Sequence, residues 1–227
     1  MKNSNLITKD LHKSFVQAGS TLHVLHGVNI RFDQGTTYAI VGVSGSGKST
    51  FMHVVGGLDR PDHGAVLFDG QDIYNLSQSK KESLLNQSFG FIFQFHYLIK
   101  ELNVLENVIL RGLINGLSKT ECIATAQELL EYVGLSDKMY SYPTELSGGQ
   151  QQRVSIVRAI FNKPAFLIAD EPTGDLDSAN ALLIVDLLEQ CRKNWGMGLI
   201  ICSHDSSVYN KMDKVFRLHN GLLEEIK

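Results

Sequence analysis

The chain has 227 residues, 43% of them hydrophobic, and 21 Lys and Arg against 24 Asp and Glu give a net charge of −3. That length suits one large domain or one domain with an inserted lobe, and that balance disfavours an extended nucleic-acid or anionic-membrane surface. No apolar run approaches the ~18 residues of a membrane span, and the start lacks the apolar stretch of a signal peptide. The three cysteines, Cys122, Cys191 and Cys202, lie far apart, as core residues of a reducing compartment would, so a soluble cytosolic chain is expected unless something else holds it to a membrane.

Leu6 to Phe15 reads as a short strand and turn, followed by Leu22 to Leu25. Val28, Ile30 and Phe32 then alternate with Asn29, Arg31 and Asp33, the period of a half-buried antiparallel strand. Thr36 to Val41 is a buried strand running into Gly42-Val43-Ser44-Gly45-Ser46-Gly47-Lys48-Ser49-Thr50, a G-x-x-x-x-G-K-[ST] loop. Gly45 and Gly47 let successive N–H groups turn inward on an anion, and a helix over Lys48 to Val55 adds its positive N-terminal end, so the loop is expected to cradle phosphate. Lys48 is placed to reach the terminal phosphates and Ser49 to ligate Mg²⁺. The plainer reading is a glycine-rich turn in a core, which the strand before and the helix after disfavour.

Gly56 to Gly64 is turn chemistry, and Ala65 to Phe68 with Asp69-Gly70 is a strand entering a hairpin, so antiparallel pieces flank a parallel core. Phe89 to Phe93 is a buried strand ending on Gln94-Phe95-His96-Tyr97. Asn103 to Gly116 is helix-like, and Ser118-Lys119-Thr120-Glu121 is a capping box opening a helix with the apolar face Cys122, Ile123, Ala126, Leu129, Leu130 and Val133, closed by Gly134. Residues of about 95–160 thus read as a helical lobe inserted into one domain spanning 1–227. Arg153 to Phe161 is helical and stops at Asn162-Lys163-Pro164, Ala165 to Ala169 is an apolar strand, and Ser178 to Asn194 is a helix. Leu199 to Cys202 is a third apolar strand, and Asn220-Gly221 closes a terminal hairpin. The fold class is α/β.

The strand at 165–169 delivers Asp170 and Glu171 to its C-terminal end, where open α/β sheets place ligands. Asp170 is placed to hold Mg²⁺ through water opposite Ser49, and Glu171 to polarise the water that attacks the terminal phosphate. Taken alone, the pair reads equally well as a cap for the helix that follows. Asp175 and Asp177 have the spacing of metal ligands, but a turn and N-cap before Ser178 explains them better.

Leu146-Ser147-Gly148-Gly149-Gln150 opens a helix with a hydroxyl and two glycines, and so presents N–H groups to a second phosphate face. With this pentapeptide in place, and the order phosphate loop, Gln94, pentapeptide, Asp170-Glu171, Asp177, His204, the chain from about Leu6 to Ile226 resembles the nucleotide-binding subunits of ATP-binding cassette transporters. The resemblance implies a phosphate-loop ATPase core with an antiparallel β subdomain and an inserted helical subdomain, binding ATP and Mg²⁺ through Gly42, Ser44, Gly45, Ser46, Gly47, Lys48, Ser49 and Thr50. It further implies that Phe15 stacks on adenine, that Gln94 joins the Mg²⁺ shell and senses a transmembrane partner, and that His204 contacts the terminal phosphate. Such subunits work as head-to-tail homodimers, so Ser147, Gly148, Gly149 and Gln150, the signature, would meet ATP held by the opposite chain, with Asp177 in the dimer loop. Asp175 departs from the Asn common in close relatives.

Gly56-Gly57-Leu58-Asp59, Gly90 to Leu98 and Asp170-Glu171-Pro172-Thr173-Gly174 are most similar to the lipoprotein-releasing ATPases of Gram-negative bacteria, with macrolide-exporter and cell-division relatives sharing most of the pattern. This implies a lipoprotein-releasing permease pair as partner, a place on the cytoplasmic face of the inner membrane, and no nucleic acid. Phe95, Tyr97, Leu98 and Ile99 are then expected at the groove for a short cytoplasmic helix of the membrane subunit. Two other classes compete. A nucleotide-kinase-type phosphotransferase would carry an acceptor-binding lid in place of Leu146 to Gln150, and a DNA-repair or regulatory ATPase fits poorly with the acidic balance and the absence of long coiled-coil arms.

Overall fold

A long antiparallel ribbon opens the chain, β1 (Asn5–Gln17) pairing with β2 (Ser20–Asp33). The computed structural model describes residues 3–17, 19–174 and 176–227, with only the backbone described at 17, 178 and 179. The ribbon is longer than the sequence suggests because register shifts at Thr8/Leu11, Leu11/His12 and Lys13/Ser14 break the alternation of apolar residues without ending the pairing. On its other edge β1 pairs with β4 (His63–Phe68), and β4 turns through Asp69 and Gly70, at φ 50° and 84°, into β5 (Gln71–Asp72). Positive φ at both turn residues matches the twist of a tight hairpin.

The second sheet holds β3 (Thr37–Val41), β6 (Phe89–Phe93), β7 (Phe166–Asp170), β8 (Gly198–Cys202), β9 (Lys214–His219) and β10 (Leu222–Glu225), in the order β10-β9-β3-β8-β7-β6. All its pairings are parallel except the terminal hairpin β9-β10. Its central strands read as unbroken apolar runs because both faces are covered. Tyr38, Ile40, Ile168 and Ile200 face a core shared with the antiparallel sheet and α1 (Lys48–Val55). Ala39, Leu167, Ala169 and Ile201 face a second core shared with α3 (Val104–Ile114), α4 (Lys119–Tyr132), α5 (Gly148–Ile160) and α6 (Ser178–Trp195). Capping boxes at Asn103/Glu106 and Ser118/Glu121 start α3 and α4, and Gly134, at φ 69°, follows α4. The cysteines are free and buried, and among the described residues no helix is long and apolar enough to cross a membrane.

The helix α2 (Gln78–Ser88) has no counterpart in the sequence reading, because it carries no fully buried residue and so no apolar stripe to betray its period. It is pinned from outside by Arg111 of α3. The Arg111 guanidinium donates to the carbonyls of Asn86 at 2.6 Å, Phe89 at 2.5 Å, Ala159 at 3.3 Å and Leu85 at 3.4 Å, tying α2, β6 and α5 together. Burial, aided by the Arg158 charge, pulls the Arg111 pKa down to about 10. Arg111→Leu takes this shared donor fork away from a buried junction and should lower unfolding free energy by at least ~2 kcal/mol, with Arg111→Lys recovering only part because the planar fork is lost. Urea denaturation checks this, and a loss under ~0.5 kcal/mol, ordinary for a surface change, would remove Arg111 from this role.

Candidate nucleotide site

Four parallel strands end level with one another. Ile40 and Asp170 both pair with Cys202, and Asp170 also pairs with Phe93, so Gly42, Gln94, Glu171 and His204 leave the sheet along one edge. A cavity of about 690 Å³ opens there. Gly42, Ser44, Gly45, Gly47, Lys48, Ser49 and Thr50 line its floor, and Phe15, Gln94, Glu171 and His204 line its walls.

The loop has the conformation its glycines permit. Gly47 caps α1 at φ 98°, and a Cβ there would lie 2.4 Å from Val24 Cγ1. Lys48 is buried and donates to the carbonyls of Gly42 at 3.0 Å and Val43 at 3.2 Å, so its ammonium already spans the loop where phosphate would sit. Ser46 is the exception among the loop residues. Its hydroxyl is buried without a partner and its N–H closes the loop onto Val43 O at 3.2 Å, so it does not line the cavity.

Glu171 stands at φ 47°, unusual for a side-chain-bearing residue, and is held there by its N–H to Cys202 O at 3.1 Å. Its carboxylate meets His204 Nδ1 at 3.1 Å, so the two candidate catalytic groups touch across the gap between β7 and β8. Behind them Asp170 Oδ1 is buried and unpartnered, a carboxylate oxygen suited to a water-bridged cation. Gln94 lies against Gly174, where a Cβ would come within 3.3 Å of its Nε2. Among the described residues no three His, Cys, Asp or Glu side chains form a metal cluster, so a divalent ion here would take further oxygens from Ser49, phosphate and water.

The signature does not join this cavity. Ser147 Oγ accepts from Gln150 N at 3.3 Å and Ser147 N donates to Gln150 Oε1 at 2.9 Å, a capping box on an exposed helix start that also holds Gly148 and Gly149. Asp177 is the N-cap of α6, accepting from Asn180 N at 2.9 Å, which is its plainer reading; Asp175 lies outside the described residues.

Three polar residues that the sequence did not single out for a role brace these parts. Gln152 Nε2 donates to Pro172 O at 2.5 Å and ties the signature helix to the turn after Glu171. Arg158 donates to the carbonyls of His96 and Tyr97, both at 2.7 Å, and buried Asn107 bonds Ile99 N at 2.8 Å and Ile99 O at 3.0 Å. They fix the loop after Gln94 while leaving Phe95 63% and Tyr97 65% exposed. A polar side chain whose partners are distant main-chain groups leaves no periodic signal.

The profile of the ABC transporter family matches residues 25–174. The lipoprotein-releasing system ATP-binding protein LolD of Syntrophus aciditrophicus is 42% identical over 94% of this chain and 96% of that protein. The chain superposes on the dimeric structure of MJ0796, a bacterial ABC transporter cassette, with TM-score 0.90 and 32% identity over 98% of this chain and 99% of that one. It matches the post-hydrolysis dimer of that cassette, bound to ADP and Pi, with TM-score 0.90 and 32% identity over 98% of each chain.

Proposed function

The chain belongs to the ABC transporter family, as the ATP-hydrolysing motor of a lipoprotein-releasing transporter, and we propose how its residues divide that work. The observation that carries the reading is the meeting of phosphate loop, Gln94, Glu171 and His204 at one cavity while the signature stands outside it on an exposed helix start. The helices between β6 and β7 serve as the helical subdomain of a single ATPase domain.

ATP lies in the phosphate loop with adenine on Phe15. Lys48 exchanges its two loop carbonyls for terminal phosphate oxygens. Mg²⁺ would be held by Ser49, Gln94 and, through water, Asp170, and would there supply positive charge to screen the phosphates. Glu171 takes a proton from the attacking water as that oxygen bonds the terminal phosphorus and the bond to the ADP oxygen breaks. His204, touching Glu171, orients the carboxylate and contacts the terminal phosphate. The signature residues Ser147, Gly148, Gly149 and Gln150 act on ATP held by a second copy, whose own signature returns the contact, and Asp177 stands at the seam of this homodimer. The dimeric form of the similar cassette supports that arrangement.

Phe95, Tyr97 and Ile99 form the docking surface for a short helix of the permease pair, which holds the motor at the cytoplasmic face of the inner membrane. Arg158 connects that surface to the signature helix, so strain at the docking loop reaches the ATP of the opposite subunit. No nucleic acid enters the cycle.

Glu171→Gln should cut turnover by roughly 10²-fold or more and leave ATP affinity nearly intact, since general-base contributions run to that size. Single-turnover hydrolysis and nucleotide titration on the same variant check it, and wild-type turnover, or lost binding in place of lost turnover, would falsify the role. Tyr97→Glu should change stability by no more than ~0.5 kcal/mol, as exposed substitutions do, yet release the subunit from its membrane partner. Thermal melts and co-purification read the two effects separately, and retained membrane association counts against the docking surface.

A further inference from the structure

The wall of the nucleotide cavity formed by Phe15 has a second side. Phe15 lines the cavity and is 41% exposed, whereas Lys13, two residues earlier on β1, is 8% exposed and does not line it. The Lys13 ammonium lies 5.1 Å from the centroid of the Phe15 ring, within the reach of a cation–π contact. It is fixed there by Asp59 Oδ1 at 2.8 Å and by Arg60 O at 2.7 Å.

The segment that grips Lys13 comes straight from the phosphate-loop helix. The N–H groups of Leu58 and Asp59 both donate to His53 O near the end of α1, and the Tyr74 hydroxyl lies between Val54 O, at 2.5 Å, and Asp59 O, with its one proton for either. Three residues on, Asp62 Oδ2 accepts from Ser14 N at 2.6 Å, so one turn holds both residues that precede Phe15. The aromatic ring is thereby referenced to the helix that carries Lys48 and Ser49.

We infer that Lys13, anchored by Asp59, is a positioning residue for the nucleotide base: it holds Phe15 from behind and presents a ring with a cation on one face and adenine on the other. Phenylalanine lacks the hydroxyl that would anchor a tyrosine at this position, and the cation supplies the missing hold. A cation on the rear face also draws electron density from the ring, which favours stacking against the electron-rich purine. This rests on the reading of Phe15 as the base platform, and the experiment separates the two.

Lys13→Met, Lys13→Arg, Asp59→Asn, Phe15→Leu and the double change Lys13→Met/Phe15→Leu are titrated in the full chain with ATP and with inorganic triphosphate, which has no base. Phe15→Leu should weaken ATP alone; if ATP binding is unchanged, the platform reading itself fails. Given that loss, Lys13→Met should weaken ATP about threefold to tenfold and leave triphosphate unchanged, the span expected for a partly desolvated cation–π contact. Lys13→Arg should restore most of the ATP affinity, Asp59→Asn should reproduce a smaller selective loss without removing the cation, and Lys13→Met should add nothing once Phe15 is gone. Equal loss of ATP and triphosphate, an undiminished effect in the Phe15→Leu background, or no loss at all would overturn the assignment and leave Lys13 as a plain fold contact.

Discussion

Four parallel strands that end level with one another are the constraint from which the site follows. Pairing of β3, β8, β7 and β6 brings Ile40, Cys202, Asp170 and Phe93 side by side, so whatever follows each strand must share one edge. Residues separated by over 160 positions in sequence, Gly42 and His204, then line the same cavity. The register leaves little freedom, since a slip of one residue would turn each strand's side chains to the opposite core. Both cores are filled, by α1 and the antiparallel sheet on one face and by α3 to α6 on the other. Stability and function are linked through this pairing: the apolar runs that bury the strands also set where their polar ends emerge.

What the strands do not bring to the cavity is equally informative. The signature sits at the start of α5, its Ser147 and Gln150 closing a capping box on each other and so holding the helix start in shape before any ligand arrives. A preformed helix N-terminus with Gly148 exposed is suited to a phosphate brought to it from outside. The buried bond from Gln152 to Pro172 keeps that helix in step with the turn after Glu171, and Arg158 keeps it in step with the loop after Gln94. In the proposed cycle one rigid helix therefore joins the partner-docking loop, the catalytic turn of its own subunit and the ATP of the opposite one.

Much of this is legible in the sequence. The phosphate-loop helix and the strand before Gln94 match their expected bounds, because each combines an unmistakable composition with clear punctuation: glycines around Lys48, and an aromatic run at Phe89 to Phe93. The sequence understates the ribbon at the start because bulges scramble the alternation that marks a strand, and it hides α2 because that helix's apolar contact is only the half-buried Leu84 and Leu85, with the Arg111 fork holding its end. Within the site, Lys48, Glu171 and His204 could be picked by motif. Lys13 could not, since its value lies in a turn some 45 residues downstream, where Asp59 fixes it under Phe15. Asp177 is legible too: the turn and N-cap that explain its spacing better than metal ligation are what it forms.

The proposed division of each ATP site between two chains is tested most directly by mixing two inactive variants. Lys48→Ala removes the phosphate-loop cation and Ser147→Arg blocks the signature, so each homodimer has two broken sites and should hydrolyse no ATP. A heterodimer of the two pairs the intact phosphate loop of one chain with the intact signature of the other, and steady-state ATPase should return on mixing. If the signature served the ATP of its own chain, every subunit in the mixture would be broken, and an activity that stays at zero with both variants folded would contradict the head-to-tail arrangement.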